Sequence, residues 1–169
     1  MFKKFDELDI KTETWDHTPV FTTKESEFIY KKLSGGHCKS LFLTDKKKTG
    51  YWLVVALNKT QVDLKKLPEI IGSGRLSFVQ PKRMQNMLGV TPGAVTPFAL
   101  MNDTSQQIKV LLDSNLMSFE ILNFHPLKND KTTKILCDDL LKFIESSGHS
   151  TQIINCEQFF KKLGSEIFS

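Results

Sequence analysis

Apolar and polar residues alternate along this chain with two different periods. A helical spacing of apolar side chains predicts helices at 2 to 8, 23 to 33, 63 to 71, 81 to 88 and from Asp138 to Gly148. Short apolar runs between turn residues predict strands at 12 to 17, 40 to 44, 51 to 57, 108 to 113, 118 to 124, 131 to 136 and 153 to 154. Because helices and strands are interspersed, we expect an α+β fold.

Neighbouring strands are expected to pair as hairpins. The runs 40 to 44 and 51 to 57 flank a polar, lysine-rich turn, and 108 to 113 and 118 to 124 flank the turn Asp113-Ser114-Asn115. The run YWLVVAL at 51 to 57 is apolar on both faces, which indicates a central strand that is covered on both sides. The sheet is therefore predicted to be mixed or mostly antiparallel.

Several predicted helix ends carry capping signals. Thr22 to Glu25 has the spacing of a capping box before the second helix, and Gly35-Gly36 follows that helix. Pro81 suits the first turn of the helix 81 to 88, where its missing N–H would be unpaired in any case. Asp138 is expected to cap the last helix.

Composition indicates one ordinary globular domain over residues 1–169. The chain is 40% hydrophobic and 25% charged, with no linker-like tract, and no apolar run approaches the roughly 20 residues that span a membrane. The N-terminus lacks a secretory signal, and none of the three cysteines forms a C-x-x-C pair, so we expect a cytoplasmic protein. The net charge of +4 permits a polyanionic partner without requiring one.

The common catalytic motifs are absent from the sequence. There is no G-x-S-x-G elbow, P-loop, G-x-G-x-x-G segment or H-E-x-x-H pair. The four histidines are too scattered to indicate a metal set, and we expect neither a metal nor a cofactor.

Lys39 is the first candidate functional residue. It stands at the start of a strand, where its ammonium could point into a cleft and act on a phosphate or a developing oxyanion. A solvated lysine at a strand edge fits the same spacing. His37 and Cys38 are unsuited to a thiol–imidazole dyad, because adjacent side chains on a strand face opposite sides.

The segment Gly93-Ala94-Val95-Thr96-Pro97 is the second candidate. Pro92 and Pro97 restrict its backbone, and Gly93 lets another group approach closely. Such a loop can present consecutive N–H groups to an anion or a polarised carbonyl, although a rigid structural turn has the same composition.

His125 and the lysine turn 46 to 48 are weaker candidates. His125 closes a strand immediately before Pro126, which fixes its direction, yet a lone histidine often serves a structural hydrogen bond. Lys46, Lys47 and Lys48 could touch an RNA backbone, although a solvated hairpin tip is the default interpretation.

These residues lie within ordered blocks that resemble one known family, the prolyl-tRNA deacylases. These are freestanding relatives of the editing domain of bacterial prolyl-tRNA synthetase, within the YbaK/ProX superfamily. The matching blocks cover about residues 12 to 155 and include HTPVFTTKE at 17 to 25, HCKSLFLTDKKK at 37 to 48, GRLSF at 74 to 78, LGVTPGAVTPFALMND at 88 to 103 and FHPLKNDKTT at 124 to 133. The fourth block resembles the alanine-clearing branch.

The resemblance implies a fold and a site. The fold is a mixed, mostly antiparallel sheet of about seven strands, curled around a pocket and flanked by helices. The family's essential lysine falls on Lys39, its G-x-x-x-P loop on Gly93 to Pro97 (Ala94, Val95 and Thr96 being the x positions), and its pocket histidine on His125. Ser40 stands where relatives commonly have Asn, and it can still donate a hydrogen bond, with shorter reach.

The implied activity is hydrolysis of the ester of mischarged Ala-tRNA(Pro). The implied partner is the 3′ end of tRNA(Pro) carrying a small amino acid, with prolyl-tRNA synthetase as a second candidate partner and no membrane. Two alternatives stay open: a deacylase for Cys- or Ser-charged tRNA, and a module that binds aminoacyl-tRNA or a synthetase without turnover.

Overall fold

A computed structural model describes residues 1–19, 27–28 and 31–157. Its helices are α1 (Phe2–Glu7), α2 (Leu67–Ile71), α3 (Pro81–Leu88) and α4 (Cys137–Ser146), with 3-10 helices at Pro97–Asn102 and Ser114–Ser118. Its strands are β1 (Glu13–Asp16), β2 (Gly36–Asp45), β3 (Tyr51–Leu57), β4 (Leu76–Phe78), β5 (Ile108–Asp113), β6 (Ile121–Phe124), β7 (Lys131–Leu136) and β8 (Thr151–Ile154).

The described strands form one mixed sheet in the order β1-β7-β6-β2-β3-β5-β8, with β4 beside β2. Four pairings are antiparallel (β1–β7, β2–β3, β2–β4 and β6–β7), and three are parallel (β2–β6, β3–β5 and β5–β8). The predicted α+β class with a mostly antiparallel sheet is confirmed, with eight described strands where about seven were expected.

Strand β3 occupies the centre of the sheet, as its sequence predicts. All seven of its residues are buried, and its two edges pair with β2 and β5. Burying each large aliphatic side chain stabilises the fold by about 1.5–3 kcal/mol, which makes this strand a main contributor to the core. The hairpin that joins β2 to β3 is also confirmed.

Two hydrophobic clusters cover opposite faces of the sheet. The larger cluster includes Phe5 of α1, Phe98 of the first 3-10 helix and Phe143 of α4. The smaller cluster includes Trp52 of β3 and Leu67 of α2. Because side chains alternate along a strand, successive residues of β2 point to different clusters.

The predicted pairing of 108–113 with 118–124 is wrong. Strand β5 pairs with β3 and β8, whereas β6 pairs with β7 and β2. The segment Ser114–Ser118 is a 3-10 helix, and its Leu116 is fully buried. This helix leads the chain away from β5, whereas the predicted tight turn would have led it back alongside β5. Five of the six residues of β5 are buried, as expected for a strand inside the sheet with a neighbouring strand on each edge.

Two predicted helix starts also differ. Asp138 does not cap the last helix: Leu136 occupies the N-cap position without a side-chain bond, and Asp138 lies in the first turn, where its charge suits the helix dipole. Helix α2 begins at Leu67, because Pro68 fits only a first turn and Asp63 forms a separate turn before it.

The predicted helix 23 to 33 and its capping box lie mostly outside the described residues, although Glu27, Phe28, Lys31 and Lys32 are helical. Among the described residues, none of the helices has the length and apolar character that crossing a membrane requires.

Candidate active site

Lys39 lies in the middle of β2, on the face of the smaller cluster, and is half-buried. Its Nζ donates to the carbonyl oxygens of Asn58 (3.1 Å) and Thr60 (2.5 Å), which follow β3. Two main-chain carbonyls therefore hold the ammonium in place, and an ammonium held in this way can act as a fixed point charge.

A buried carboxylate supports this arrangement from behind. Asp113, at the end of β5, is fully buried and accepts hydrogen bonds from Thr60 Oγ1 (3.1 Å) and from the Cys156 backbone N–H (3.1 Å). Thr60 is thus held by Asp113 through its hydroxyl while its carbonyl accepts from Lys39. The positions of Asp113 and the Lys39 ammonium are linked through one residue.

Electrostatics at Lys39 oppose one another. Burial lowers the pKa of the Lys39 ammonium, while Cys156 and the charge of Asp113 raise it. Burial and the neighbouring Asp113 carboxylate raise the pKa of the Cys156 thiol to about 12, so that thiol stays protonated at neutral pH. A protonated thiol is a poor nucleophile, so Lys39 is the candidate functional group at this place.

Ser40 points to the other face of the sheet. It is paired with Val55, on the side of the larger cluster, whereas Lys39 is paired with Ala56. The Ser40 hydroxyl is buried, and no described residue forms a hydrogen bond with it. Leaving a buried hydroxyl without a partner costs about 1–3 kcal/mol, so a ligand atom that bonded to it would recover that cost.

The edge of β2 opens beside these two residues. On one side, β2 pairs with β6 only at Gly36 and His37, and with β4 only from Leu43 to Asp45. In the described part of the chain, residues 38–41 have no registered strand partner on that edge. Backbone groups of Lys39 and Ser40 therefore border an interruption in the pairing of the sheet.

The loop Gly93 to Pro97 is a defined turn. Gly93 is exposed with φ +88°, and a Cβ there would meet no atom within 4 Å, so only the backbone angle requires glycine. Thr96 caps the following 3-10 helix, its hydroxyl accepting from Phe98 N–H (3.5 Å), and Pro97 begins that helix. Both Thr96 and Pro97 are buried.

Part of the loop's hydrogen-bonding capacity is used internally. The N–H of Ala94 donates to Thr91 O (3.0 Å), which removes it from the set of ligand-facing donors. The N–H groups of Gly93, Val95 and Thr96 have no acceptor among the described residues. These groups retain the capacity to hold a polarised carbonyl.

Lys39 and the loop are not in direct contact. Ala94 and Val95 pack against the larger cluster, on the face to which Ser40 points, and no hydrogen bond joins the described part of the loop to Lys39.

His125 follows the end of β6. Its Nδ1 lies 3.0 Å from the Lys131 carbonyl, and because a carbonyl can only accept, Nδ1 carries the proton and Nε2 is left as an acceptor. Burial lowers the pKa of His125, and His17, whose ring centroid lies 6.3 Å away, lowers it further, while the bond to Lys131 opposes them. The ring is therefore neutral at pH 7.

Asn123 lies on β6, two residues before His125. It is paired with His37, and its amide donates to Ser34 O (2.9 Å) while its own carbonyl oxygen is buried without a partner in the described chain. The alternation of β2 places His37 and Lys39 on one face. Asn123 is consequently on the face of Lys39.

Sequence reasoning missed several of these residues. Asp113 looked like a turn residue, Thr60 and Asn123 carried no motif of their own, and His17 stood unremarked at the start of the block HTPVFTTKE. Of these residues, only His17 lies in a motif that could have drawn attention to it. Among the described residues, no three His, Cys, Asp or Glu side chains come together as a metal set.

The aminoacyl-tRNA editing domain family matches this chain over residues 17–143. The chain belongs to this family. The family assignment confirms the predicted class of enzyme, a hydrolase acting on the aminoacyl-tRNA ester bond. The matched range includes Lys39, Ser40, the loop Gly93 to Pro97 and His125.

Two relatives in the editing-domain family match almost end to end. Prolyl-tRNA synthetase associated domain-containing protein 1 from Bos taurus is 39% identical over 155 residues, covering 89% of this chain and 90% of the relative. Prolyl-tRNA editing protein ProX from Acetoanaerobium sticklandii is 37% identical over 151 residues, covering 89% of this chain and 92% of the relative.

A solved structure shows the same fold. A candidate trans-editing enzyme for prolyl tRNA synthetase superposes with a TM-score of 0.66 at 16% identity, over 90% of this chain and 91% of its own. At 16% identity the similarity shows a shared fold only, here the mixed sheet flanked by helices.

Proposed function

We propose that this protein hydrolyses the ester that joins alanine to the terminal adenosine of tRNA(Pro). The observation that carries the proposal is the half-buried Lys39 ammonium, directed by the carbonyls of Asn58 and Thr60, in a chain of the editing-domain family. A cation in this position suits the 3′-terminal phosphate of a tRNA better than it suits a nucleophile.

Water is the attacking group in this reaction. Its oxygen adds to the ester carbonyl carbon, the bond from that carbon to the ribose oxygen breaks, and the ribose oxygen takes a proton. The products are alanine and tRNA with a free 3′-hydroxyl. Burial raises the pKa of the Cys38 and Cys156 thiols, so both stay protonated and neither serves as the base that activates the water. In this proposal the substrate's own 2′-hydroxyl orients the water instead.

The loop stabilises the developing charge. The N–H groups of Gly93, Val95 and Thr96 are unused by the described chain and hold the carbonyl oxygen as it becomes negative. Losing one such donor raises the barrier by about 2.7–4 kcal/mol. Ala94 has a different role, because its N–H maintains the turn.

Ser40 and His125 position the substrate. The buried Ser40 hydroxyl and the neutral Nε2 of His125 are available to the aminoacyl group and the adenosine, one on each side of the β2 edge. Selectivity follows from size: a site that admits alanine and excludes proline rejects correctly charged tRNA, in the manner of a second sieve.

The setting of the reaction is the cytoplasm. Cys38, Cys137 and Cys156 are all free thiols, as in proteins of a reducing compartment. Prolyl-tRNA synthetase, which produces the mischarged tRNA, is the candidate protein partner. Residues 1–169 work as a single editing domain that needs neither a metal nor a cofactor.

A turnover assay tests the activity and the amino acid together. Catalytic amounts of protein are incubated with tRNA(Pro) charged with alanine, cysteine or serine, and release of each amino acid is followed past one equivalent. We expect many turnovers with Ala-tRNA(Pro) and loss of deacylation in Lys39→Ala, whose circular dichroism remains that of the wild type.

The exposed Lys65→Ala variant serves as the matched control and is expected to keep full activity. A fully active Lys39→Ala would remove the mechanism. Faster release from Cys- or Ser-charged tRNA would reassign the substrate, and protection of the ester without turnover would identify a binding module.

A further inference from the structure

A cleft lies at the end of the sheet where β2, β4 and α3 meet. Its volume is about 510 Å³, and the side chains that give it its character are Lys46, Lys48, Tyr51, Phe78, Lys82 and Arg83. We call it the basic cleft. None of these residues belongs to the site described above.

Basic residues make up a larger share of the charged residues in the basic cleft than in the whole chain. Four cations line it against one carboxylate, that of Asp45, whereas the chain as a whole carries 23 basic and 19 acidic residues. Asp45 is also engaged: it accepts from Thr49 N–H (2.7 Å), Thr49 Oγ1 (2.8 Å) and Gly50 N–H (3.0 Å) in the turn after β2. These neutral donors occupy its oxygens and leave its charge in place, so the lining has four positive charges against one negative charge, and Asp45 forms no ion pair with a cation among the described residues.

The cations are exposed and arranged at fixed places. Lys46, Lys48 and Lys82 are exposed, and their side chains make no hydrogen bond or ion pair with the described residues. Arg83 donates its Nε–H to Tyr51 Oη (3.2 Å) and lies over the Tyr51 ring, 5.4 Å from its centroid. The bond and the ring contact hold the guanidinium beside Tyr51, and no described residue accepts from its two terminal nitrogens.

An exposed aromatic ring completes the cleft. Phe78, the last residue of β4, is 57% exposed, although its neighbour Val79 is buried in the larger cluster. An exposed ring among lysines and an arginine is the combination that binds nucleic acid, since the cations neutralise phosphates while a base stacks on the ring.

We propose that the basic cleft docks the phosphate backbone of the tRNA arm whose 3′ end reaches Lys39. The identity of the RNA as tRNA(Pro) rests on the proposed function. The binding of RNA to this place rests on the charge and shape of the basic cleft alone. Lys46, Lys82 and Arg83 hold consecutive phosphates, and Phe78 stacks on an exposed base or on the end of a base-paired segment.

The position along β2 fits this role. Thr44 borders the cleft and Lys39 lies five positions before it, about 17 Å away at the rise of a strand. That distance corresponds to roughly five stacked nucleotides at about 3.4 Å each. Lys39 lies within the interrupted edge of β2 and points to the face opposite Thr44, so an RNA strand with its terminal adenosine at Lys39 crosses that edge to bring its next phosphates to the cleft.

Binding of uncharged tRNA(Pro) at several KCl concentrations tests the proposal. The anisotropy of a labelled transcript is measured with the wild type, with the double variant Lys46→Ala/Lys82→Ala, and with a control of equal charge change, Lys3→Ala/Lys65→Ala. The slope of log K against log [KCl] should become shallower by about 1.8 in the cleft variant, from about 0.9 per lost phosphate contact, and stay unchanged in the control.

A neutral variant separates stacking from charge. Phe78→Ala is expected to lower affinity by roughly tenfold while leaving the salt slope unchanged, because no phosphate contact is lost. Cleft and control variants with equal slopes would overturn the proposal, as would a wild type that binds no RNA. Displacement of the tRNA by a mononucleotide at matched phosphate concentration would also overturn it, since the cleft would then be a nucleotide pocket.

Steady-state deacylation distinguishes the two proposals. Lys46→Ala/Lys82→Ala should raise KM for Ala-tRNA(Pro) without changing kcat, and should leave hydrolysis of an alanyl CCA trinucleotide unchanged, because that substrate is too short to reach the cleft. Absence of all turnover in the wild type refutes the proposed function and leaves the binding result standing. An unchanged KM in the cleft variant refutes the cleft alone.

Discussion

At the scale of a single residue, the neighbours of Lys39 give its side chain a defined position. A lysine at a strand start is ordinarily solvated, yet here two carbonyls fix its ammonium and a buried carboxylate fixes one of those carbonyls through Thr60. Burial lowers the Lys39 pKa, and the negative charge of Asp113 acts in the opposite direction. Asp113 is therefore expected to be a positioning residue that also keeps Lys39 protonated.

Asp113→Asn is expected to shift the pH dependence of deacylation. In the proposed mechanism Lys39 acts as a cation, so activity is expected to fall as pH rises through its pKa, which burial lowers from the ordinary 10.5. Removing the carboxylate charge lowers that pKa further, and the alkaline limb of kcat/KM moves to lower pH. The measurement is the pH–rate profile after subtraction of spontaneous ester hydrolysis.

The control for this prediction is Asp103→Asn. Asp103 is also buried and accepts from Ile108 N–H (2.8 Å), and it pairs with His149 Nε2 (3.0 Å), away from Lys39. This variant should lose stability and keep the wild-type alkaline limb. The same limb in Asp113→Asn would show that Asp113 has only a structural role.

At the level of elements, the loop Gly93 to Pro97 is held by its own internal bonds. Ala94 N–H closes the turn, the Thr96 hydroxyl caps the following 3-10 helix, and Phe98 anchors that helix in the core. The N–H groups of Val95 and Thr96 are consequently oriented by the structure before any substrate binds. Preorganised donors of this kind contribute most to stabilising a developing charge.

Gly93→Ala tests this orientation. Its positive φ makes alanine unfavourable by about 1–2 kcal/mol, and relief of that strain displaces the neighbouring N–H groups. A displacement of about 1 Å at an active site can lower the rate up to about a hundredfold. We expect both a loss of stability in chemical denaturation and a loss of kcat.

Gly72→Ala provides a matched comparison. Gly72 also has a positive φ (+65°) and open space around its Cβ position, and it ends helix α2 away from the loop. The two substitutions should cost similar stability, but only Gly93→Ala should impair deacylation. Equal loss of activity in both would indicate a general effect of destabilisation.

At the level of the whole molecule, one aromatic cluster joins elements that are distant in sequence. The ring of Phe98 lies 5.1 Å from Phe5, 5.6 Å from Phe124 and 5.6 Å from Phe143, between centroids, in edge-to-face arrangements. These residues belong to the first helix, the loop segment, strand β6 and helix α4. The loop and the strand that precedes His125 are thereby held on one core.

Phe98→Ala is expected to destabilise the protein by about 3–5 kcal/mol, because a fully buried ring is removed from a packed cluster. Phe2→Ala, at a ring that is 49% exposed, should cost only about 0.5 kcal/mol. Urea denaturation monitored by fluorescence measures both. Similar midpoints for the two variants would contradict the central role of Phe98.

Local sequence patterns predicted much of the fold. The all-apolar run at 51 to 57 indicated a central strand, Pro81 marked the start of α3, and the composition of the loop at 93 to 97 predicted a rigid turn. These features depend on neighbours in sequence, so the sequence carries them. The roles of Lys39 and His125 came from the resemblance to a family, and they stay predictions.

The sequence by itself determined most of the helices and strands, the alternation that sends Lys39 and Ser40 to opposite faces, and the family to which the ordered motifs belong. The tertiary structure alone decided which strands meet. It separated β5 from β6, which brought Asp113 and Cys156 together behind Lys39. The physical reason is that side-chain alternation follows from local backbone geometry, whereas strand pairing depends on burial across the whole sheet.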